Sequence, residues 1–355
     1  MNEACIVGRG LACSLGLDLA ECLANLRAGG RPASVRNLPG GMGGDFPYFA
    51  IPVADADWYG RARQLITRVA AEAGVQPGCR GALLLATSSF DIGAVEAGVD
   101  GATVGDYRAF LDRIAGWLDW AGPTYAVSTA CTSSLNAMIT GKAMLDAGVV
   151  GEVLVLGVEL DNRMTPGGFA ALQLLSRSGG KPFGADRDGL VLGESVAAVR
   201  LAARGPAAWR LLGGANVVDG SNPTGASEAA LAAMYMQVLD GAGLRPADID
   251  LVKVQAAGSP GNDAAEAGAL RCTFASLPAL VSLKAALGHT MGASGAAEIA
   301  LLTACLEQGI WPSVAGVTDP ELGVELAVAA PPVRRLLATI LGFGGSHATV
   351  ALERT

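Results

Sequence analysis

Short runs rich in leucine and valine alternate along the chain with longer alanine-rich stretches whose apolar residues recur at helical spacing. Gly81-Ala-Leu-Leu-Leu-Ala-Thr87, Glu152-Val-Leu-Val-Leu-Gly-Val158, Ser195-Val-Ala-Ala-Val-Arg-Leu201 and Asp250-Leu-Val-Lys-Val254 are of the first kind. Nearly unbroken apolar runs of this length read as buried strands, and their alternation with helical stretches predicts an α/β fold. A change of texture at Ala202-Ala-Arg-Gly-Pro206 divides the chain into two halves, 1–203 and 204–355. The halves resemble each other. Tyr125-Ala-Val127, a turn of small residues and a helix closing at Met144-Leu-Asp-Ala-Gly148 have a counterpart in Leu280-Val-Ser-Leu283, a Gly/Ala/Ser-rich turn and a helix closing at Ala304-Cys-Leu-Glu-Gln-Gly309. A duplicated unit predicts that loops from both halves meet at one cleft.

Composition narrows the function classes. Of 355 residues, 51% are apolar and only 16% charged, which suits a large folded core. No run of about 18 unbroken apolar residues is present to span a bilayer. The net charge of −8 has the wrong sign for coating nucleic acid along a whole surface. Seven scattered cysteines form no CxxC pair or metal-ligand spacing, and the N-terminus has no basic-then-apolar leader, so a reduced, cytoplasmic protein without metal or bound cofactor is expected. Histidine occurs only at 289 and 347, and lysine only at 142, 181, 253 and 284.

Four segments carry candidate chemistry. In Val127-Ser-Thr-Ala-Cys-Thr-Ser-Ser-Leu-Asn-Ala-Met138 a strand turns into a helix at or just after Cys131, where the helix dipole and unpaired N–H groups favour a thiolate able to attack a thioester. The plain alternative is an inert buried cysteine. Ser282-Leu-Lys-Ala-Ala-Leu-Gly-His-Thr-Met-Gly-Ala-Ser-Gly-Ala-Ala-Glu298 places His289, a donor or base, five residues from the fixed charge of Lys284; a capped histidine beside a surface lysine is the simpler reading. Leu341-Gly-Phe-Gly-Gly-Ser-His-Ala-Thr-Val350 is a glycine turn that can aim a backbone N–H into a cleft as an oxyanion donor. In Gln255-Ala-Ala-Gly-Ser-Pro-Gly-Asn-Asp-Ala-Ala-Glu266, Asp263 and Glu266 stand one helical turn apart, a spacing that a helix cap explains as readily as a site.

In this order, and with Lys181-Pro-Phe-Gly-Ala-Asp-Arg-Asp-Gly-Leu-Val-Leu-Gly-Glu194 matching the stretch RPFDxxRDGFVxGEG, the chain resembles the elongating β-ketoacyl-acyl-carrier-protein synthases of the thiolase superfamily. The resemblance implies a thiolase-like fold of two repeated βαβαβαββ halves in α-β-α-β-α layers, the first carrying Cys131 and the second His289. It implies a homodimer or a heterodimer with a second ketosynthase-like chain, and an acyl carrier protein as partner, its phosphopantetheine arm delivering the substrate. Cys131 takes the acyl group, the backbone N–H groups of Cys131 and Phe343 form the oxyanion hole, and His289 holds the malonyl thioester. Lys284 orders the site together with a carboxylate that Glu266 resembles.

The chain departs from that pattern where the family reads AHGTxTxxxD. Here the loop is Ala256-Ala-Gly-Ser-Pro-Gly-Asn-Asp263, with Ala257 in place of the second catalytic histidine. His347, in a final loop that ends Ser346-His347 rather than Thr-Asn, is a candidate substitute. Three functions stay open: decarboxylative Claisen condensation with a degenerate triad, a non-elongating partner similar to chain-length factors of type II polyketide or aryl-polyene systems, and acyl transfer without decarboxylation. Met164, Phe169 and Leu172 are candidates for a substrate tunnel, with a place in the core as the simpler expectation.

Overall fold

The computed structural model describes residues 4–38, 43–53, 57–312 and 316–355. Ten strands share one sheet: β1 (Ala4–Cys13), β2 (Ala82–Ala86), β3 (Thr124–Val127), β4 (Glu152–Glu159), β5 (Ser195–Ala202), β6 (Trp209–Val218), β7 (Leu251–Lys253), β8 (Ala279–Val281), β9 (Arg335–Leu341) and β10 (Ser346–Arg354). Their spatial order is β8-β7-β9-β10-β6-β1-β5-β4-β2-β3. The five strands on either side of the β6–β1 seam have the same connectivity. In the first half β1 is antiparallel to β5 and β5 to β4, with β4, β2 and β3 parallel. In the second, β6 is antiparallel to β10 and β10 to β9, with β9, β7 and β8 parallel. The seam itself rests on Ala4–Leu211 and Cys5–Arg210.

The helices repeat in the same way. Helices α1 (Trp58–Glu72), α2 (Tyr107–Trp117) and α3 (Ser133–Asp146) correspond in order to α4 (Glu228–Ala242), α5 (Pro260–Thr273) and α6 (Ser294–Gln308). Helix α1 begins where Asp57 accepts a hydrogen bond from Gly60 N at 2.7 Å, and its buried Tyr59, Ala62, Leu65, Ile66, Val69 and Ala70 form one stripe. That stripe and Phe110, Leu111 and Ile114 of α2 cover Leu83, Leu85, Leu154 and Leu156 on the outer face of the first half. The alternate residues, Leu84, Ala86, Val153 and Val155, face the middle layer, where α3 and α6 lie together. Helices α4 and α5 close the far side over Val252, Val254, Leu337 and Leu341. The result is the five-layer α-β-α-β-α arrangement expected of a thiolase-like fold.

Position in the layers explains composition. Helix α6 is buried on every side from Ser294 to Leu306 and has no polar stripe, so its one acidic residue in that stretch, Glu298, is held in the interior. Among the described residues no helix is long and apolar enough to cross a membrane.

Candidate active site

Cys131 and the residues around it lie on equivalent strand-to-helix turns of the two halves. After β3 the chain turns at Ser128–Thr132 and enters α3 at Ser133. Small hydroxyl side chains brace the turn: Thr132 Oγ1 donates to Thr129 O at 2.7 Å, Ser133 Oγ donates to Ala130 O at 2.6 Å and accepts from Thr129 N at 3.0 Å. Ala130 pays for the sharpness with φ of +52°, a conformation a Cβ disfavours by about 1–2 kcal/mol. Cys131, next in the chain, is 4% exposed.

In the second half β8 leads through a single helical turn, Lys284–Leu287, and Gly288 to His289. Gly288 has φ of +69°, and a Cβ there would lie 2.8 Å from Leu192 O, so the close approach requires glycine. His289 is pinned by its backbone, its N donating to Val191 O at 2.7 Å and its O accepting from Gly193 N at 3.0 Å. The Lys181–Glu194 stretch thereby fixes the height of the imidazole.

The two turns bring Cys131 Sγ to 3.0 Å from His289 Nε2. Lys284 Nζ lies 3.0 Å from His289 Nδ1, 3.2 Å from Ser294 Oγ and in contact with Glu298 Oε1. An ammonium has three donors and no acceptor, so this set assigns Nδ1 as an acceptor and leaves the proton on Nε2, aimed at the sulfur. Burial, followed by the charges of Lys284 and Lys253, holds His289 well below the usual histidine range. A neutral ring held in this way donates from Nε2.

Burial pushes the Cys131 thiol up to about 11, against the opposing pull of the Phe343 backbone N–H, the Lys284 charge and its own N–H. The expectation that the helix end favours a thiolate is therefore corrected: at this buried position desolvation outweighs the N–H donors and the Lys284 charge. The Phe343 loop requires Gly345, with φ of +75°, where a Cβ would stand 1.7 Å from Asp219 O. The Phe343 ring stacks on Phe169 at 5.1 Å.

Other expectations are also corrected. Glu266 is not the carboxylate on Lys284: its oxygens accept from Gln255 N at 2.7 Å and Ala256 N at 2.8 Å, and burial raises its pKa to about 7. Asp263 accepts from the N–H groups of Ala257, Gly258 and Phe183. Both carboxyls shape the loop that carries Ala257, whose methyl is buried in the same apolar cluster as Cys131.

His347 does not replace a histidine at that position. Ser346 Oγ faces the turn that carries Cys131, 3.0 Å from Thr132 Oγ1, and successive strand residues point to opposite faces, so His347 points away from Cys131. Lys284 is buried rather than at the surface. Met164 and Leu172 are exposed, at 56% and 57%, rather than in the core.

Residues not singled out from the chain complete the site. Glu298 is the carboxylate between Lys284 and Lys253, and Ser294 supports the Nδ1 side of His289. Glu159 accepts from Ser88, Ser89 and Gly292 at the end of β4, and its charge opposes ionisation of Cys131.

The N-terminal domain of beta-ketoacyl synthases matches residues 92–207, and the C-terminal domain matches residues 212–318. The chain belongs to the β-ketoacyl synthase family. Among curated relatives of this ketosynthase-family chain, 3-oxoacyl-[acyl-carrier-protein] synthase 2 of Coxiella burnetii is 27% identical over 263 residues, covering 66% of this chain and 63% of that protein. Lovastatin diketide synthase mokB of Monascus pilosus is 30% identical over 271 residues, covering 68% of this chain and 10% of that protein. The chain thus spans about a tenth of the polyketide synthases it matches.

Solved structures share the fold throughout. The ketosynthase ApeO in complex with its chain length factor ApeC, from Xenorhabdus doucetiae, superposes with a TM-score of 0.84 at 22% identity, covering 100% of this chain and 98% of that one. A beta-ketoacyl synthase from Burkholderia phymatum gives 0.84 at 21% identity, covering 100% of both chains.

Proposed function

We propose that the chain is an acyltransferase of the 3-oxoacyl-acyl-carrier-protein synthase type, loading an acyl group on Cys131 and condensing it with a malonyl unit in fatty-acid or polyketide-type biosynthesis. The observation that carries this reading is Cys131 Sγ at 3.0 Å from the Nε2 donor of a neutral His289. In the loading step the Cys131 sulfur attacks the carbonyl of a thioester on the phosphopantetheine arm of an acyl carrier protein. The Phe343 and Cys131 N–H groups receive the oxyanion, and the thiol proton leaves with the departing phosphopantetheine thiol. In the second step His289 Nε2–H holds the malonyl thioester oxygen, carbon dioxide departs, and the carbanion attacks the acyl carbon and releases Cys131 as thiolate.

Ala257 favours a second reading. A methyl group donates no hydrogen bond to the thioester oxygen, and losing one such donor costs about 10²–10³ in rate. A chain that loads slowly or not at all would instead serve as a chain-length-factor-like partner of a complete ketosynthase; loading without decarboxylation is the intermediate case. Either a homodimer or a heterodimer suits β3, which ends the sheet with Tyr125 48% exposed on it.

Incubation of the full chain with acyl-loaded carrier protein, followed by intact-mass measurement, tests the first reading. We expect one acyl adduct, on Cys131; an unmodified protein would exclude both condensation and simple transfer. Adding malonyl carrier protein then separates those two by release of carbon dioxide and a β-keto product. Copurification with a second synthase-like chain, without adduct formation alone, supports the partner reading.

A further inference from the structure

The interior holds a second lysine on the carboxylate that serves Lys284. Lys253, on β7, is 1% exposed, with Nζ 2.5 Å from Glu298 Oε2 and 2.6 Å from Thr339 O. Lys284 takes the other oxygen, Oε1. One carboxylate therefore answers two lysine Nζ groups, and the buried Glu266 on α5 acts on Lys253 as well. Stability does not call for such a cluster, because replacing a buried ion pair by well-packed apolar residues is often neutral or stabilising.

The cluster lies behind the imidazole, along the chain of contacts Lys253, Glu298, Lys284, His289, Cys131. We propose that Lys253 is a positioning residue of the active site, which shares Glu298 so that Lys284 keeps a donor on His289 Nδ1 and the imidazole stays a neutral Nε2–H donor toward Cys131. The inference rests on the reading that His289 acts as the donor in the proposed reaction.

The groups that act on His289 come from every neighbouring element. They are Cys131 before α3, Lys284 on its own turn, Lys253 from β7, and Ser294 and Glu298 from α6. Glu159 at the end of β4 acts on Cys131, and Glu266 acts on Lys253. Glu266, Asp263 and Glu159 are already engaged by backbone N–H or hydroxyl donors. Burial lowers Lys253 from the usual lysine range and Glu298 draws it back, while burial and both lysines hold His289 down.

The chain has two histidines, so nitrogen-15 spectra of the full protein contain two imidazoles, and His347→Asn assigns them. We expect His289 to show the neutral Nε2–H tautomer and no titration between about pH 5.5 and 9, the window around the ordinary histidine value. Lys253→Met, which keeps the stem and removes the charge, should shift the His289 titration upward, toward that window, although burial and Lys284 still hold it down; Lys253→Arg should leave it where it is in the parent.

An Nδ1–H tautomer, or titration within the window, in the unsubstituted protein would overturn the proposal without any variant. So would a folded Lys253→Met protein whose His289 behaves as in the parent. Where that variant does not fold, Lys253→Gln is read in the same way. No carrier protein enters these measurements, so a chain that never loads an acyl group fails the proposed function alone, and a loading chain with an unmoved His289 fails only this inference.

Discussion

The turn after β3 and the turn after β8 occupy the same place in the two halves, yet they present their side chains by different physics. The first, Ser128–Thr132, is short, uncharged and braced by hydroxyls, and it lifts Cys131 into place on a strained Ala130. The second, Ser282–Ala293, buries Lys284 and His289 and depends on Glu298 from the following helix. Steric shape positions Cys131, whereas a buried charge network positions His289. The two halves of a repeated scaffold thus differ, one presenting the Cys131 sulfur and the other a buried charge network.

The sharpest way to break this comparison is to remove the attacking atom. Cys131→Ser should abolish the acyl adduct in intact-mass measurements while leaving the thermal unfolding curve nearly unchanged, because no charge network depends on the sulfur. A persistent adduct would move the nucleophile elsewhere. On the other turn the order of effects reverses. Glu298→Ala leaves two buried ammonium groups without their carboxylate and should cost about 3–5 kcal/mol in urea unfolding. A loss under about 1 kcal/mol would mean that the charges are not the framework of that turn.

Much of this division could be read from the chain, and the part that could not has an identifiable cause. The repeat was visible because buried strands are continuous apolar runs, and Cys131, His289 and Lys284 stood out as rare chemistry on small-residue turns. Glu298 has no motif spacing to mark it, yet a lone acid in a helix with no polar stripe signals a buried partner. Lys253 gave the same signal inside an apolar strand. Glu266 misled because spacing alone does not distinguish a carboxylate that faces a lysine from one that caps the loop before its own helix. The direction of His347 was set by strand parity, which needs the register of β10 against β9 and β6.

Titration of the nucleophile sharpens the contrast. The thiol is neutral below its raised pKa of about 11, so at pH 8 about one molecule in a thousand carries a thiolate. Alkylation of Cys131 by iodoacetamide, followed at that peptide by mass spectrometry, should rise about tenfold for each pH unit from 7 to 10. The rise reflects deprotonation, since the ionised form is the reactive one and burial opposes it. A plateau reached by about pH 8 would show that the N–H donors and Lys284 outweigh burial after all.

The smallest expected effect isolates the strain that lifts Cys131. Ala130→Gly relieves a Cβ at φ of +52° but gives the unfolded chain more freedom, two terms of about 1 kcal/mol with opposite signs. Stability measured by urea unfolding should therefore move by less than about 1 kcal/mol, toward stabilisation. The same change in a helix, such as Ala137→Gly in α3, lacks the relief and should destabilise by about 1 kcal/mol or more. If both substitutions cost the same, Ala130 stores no strain, and the hydroxyl brace alone positions the nucleophile.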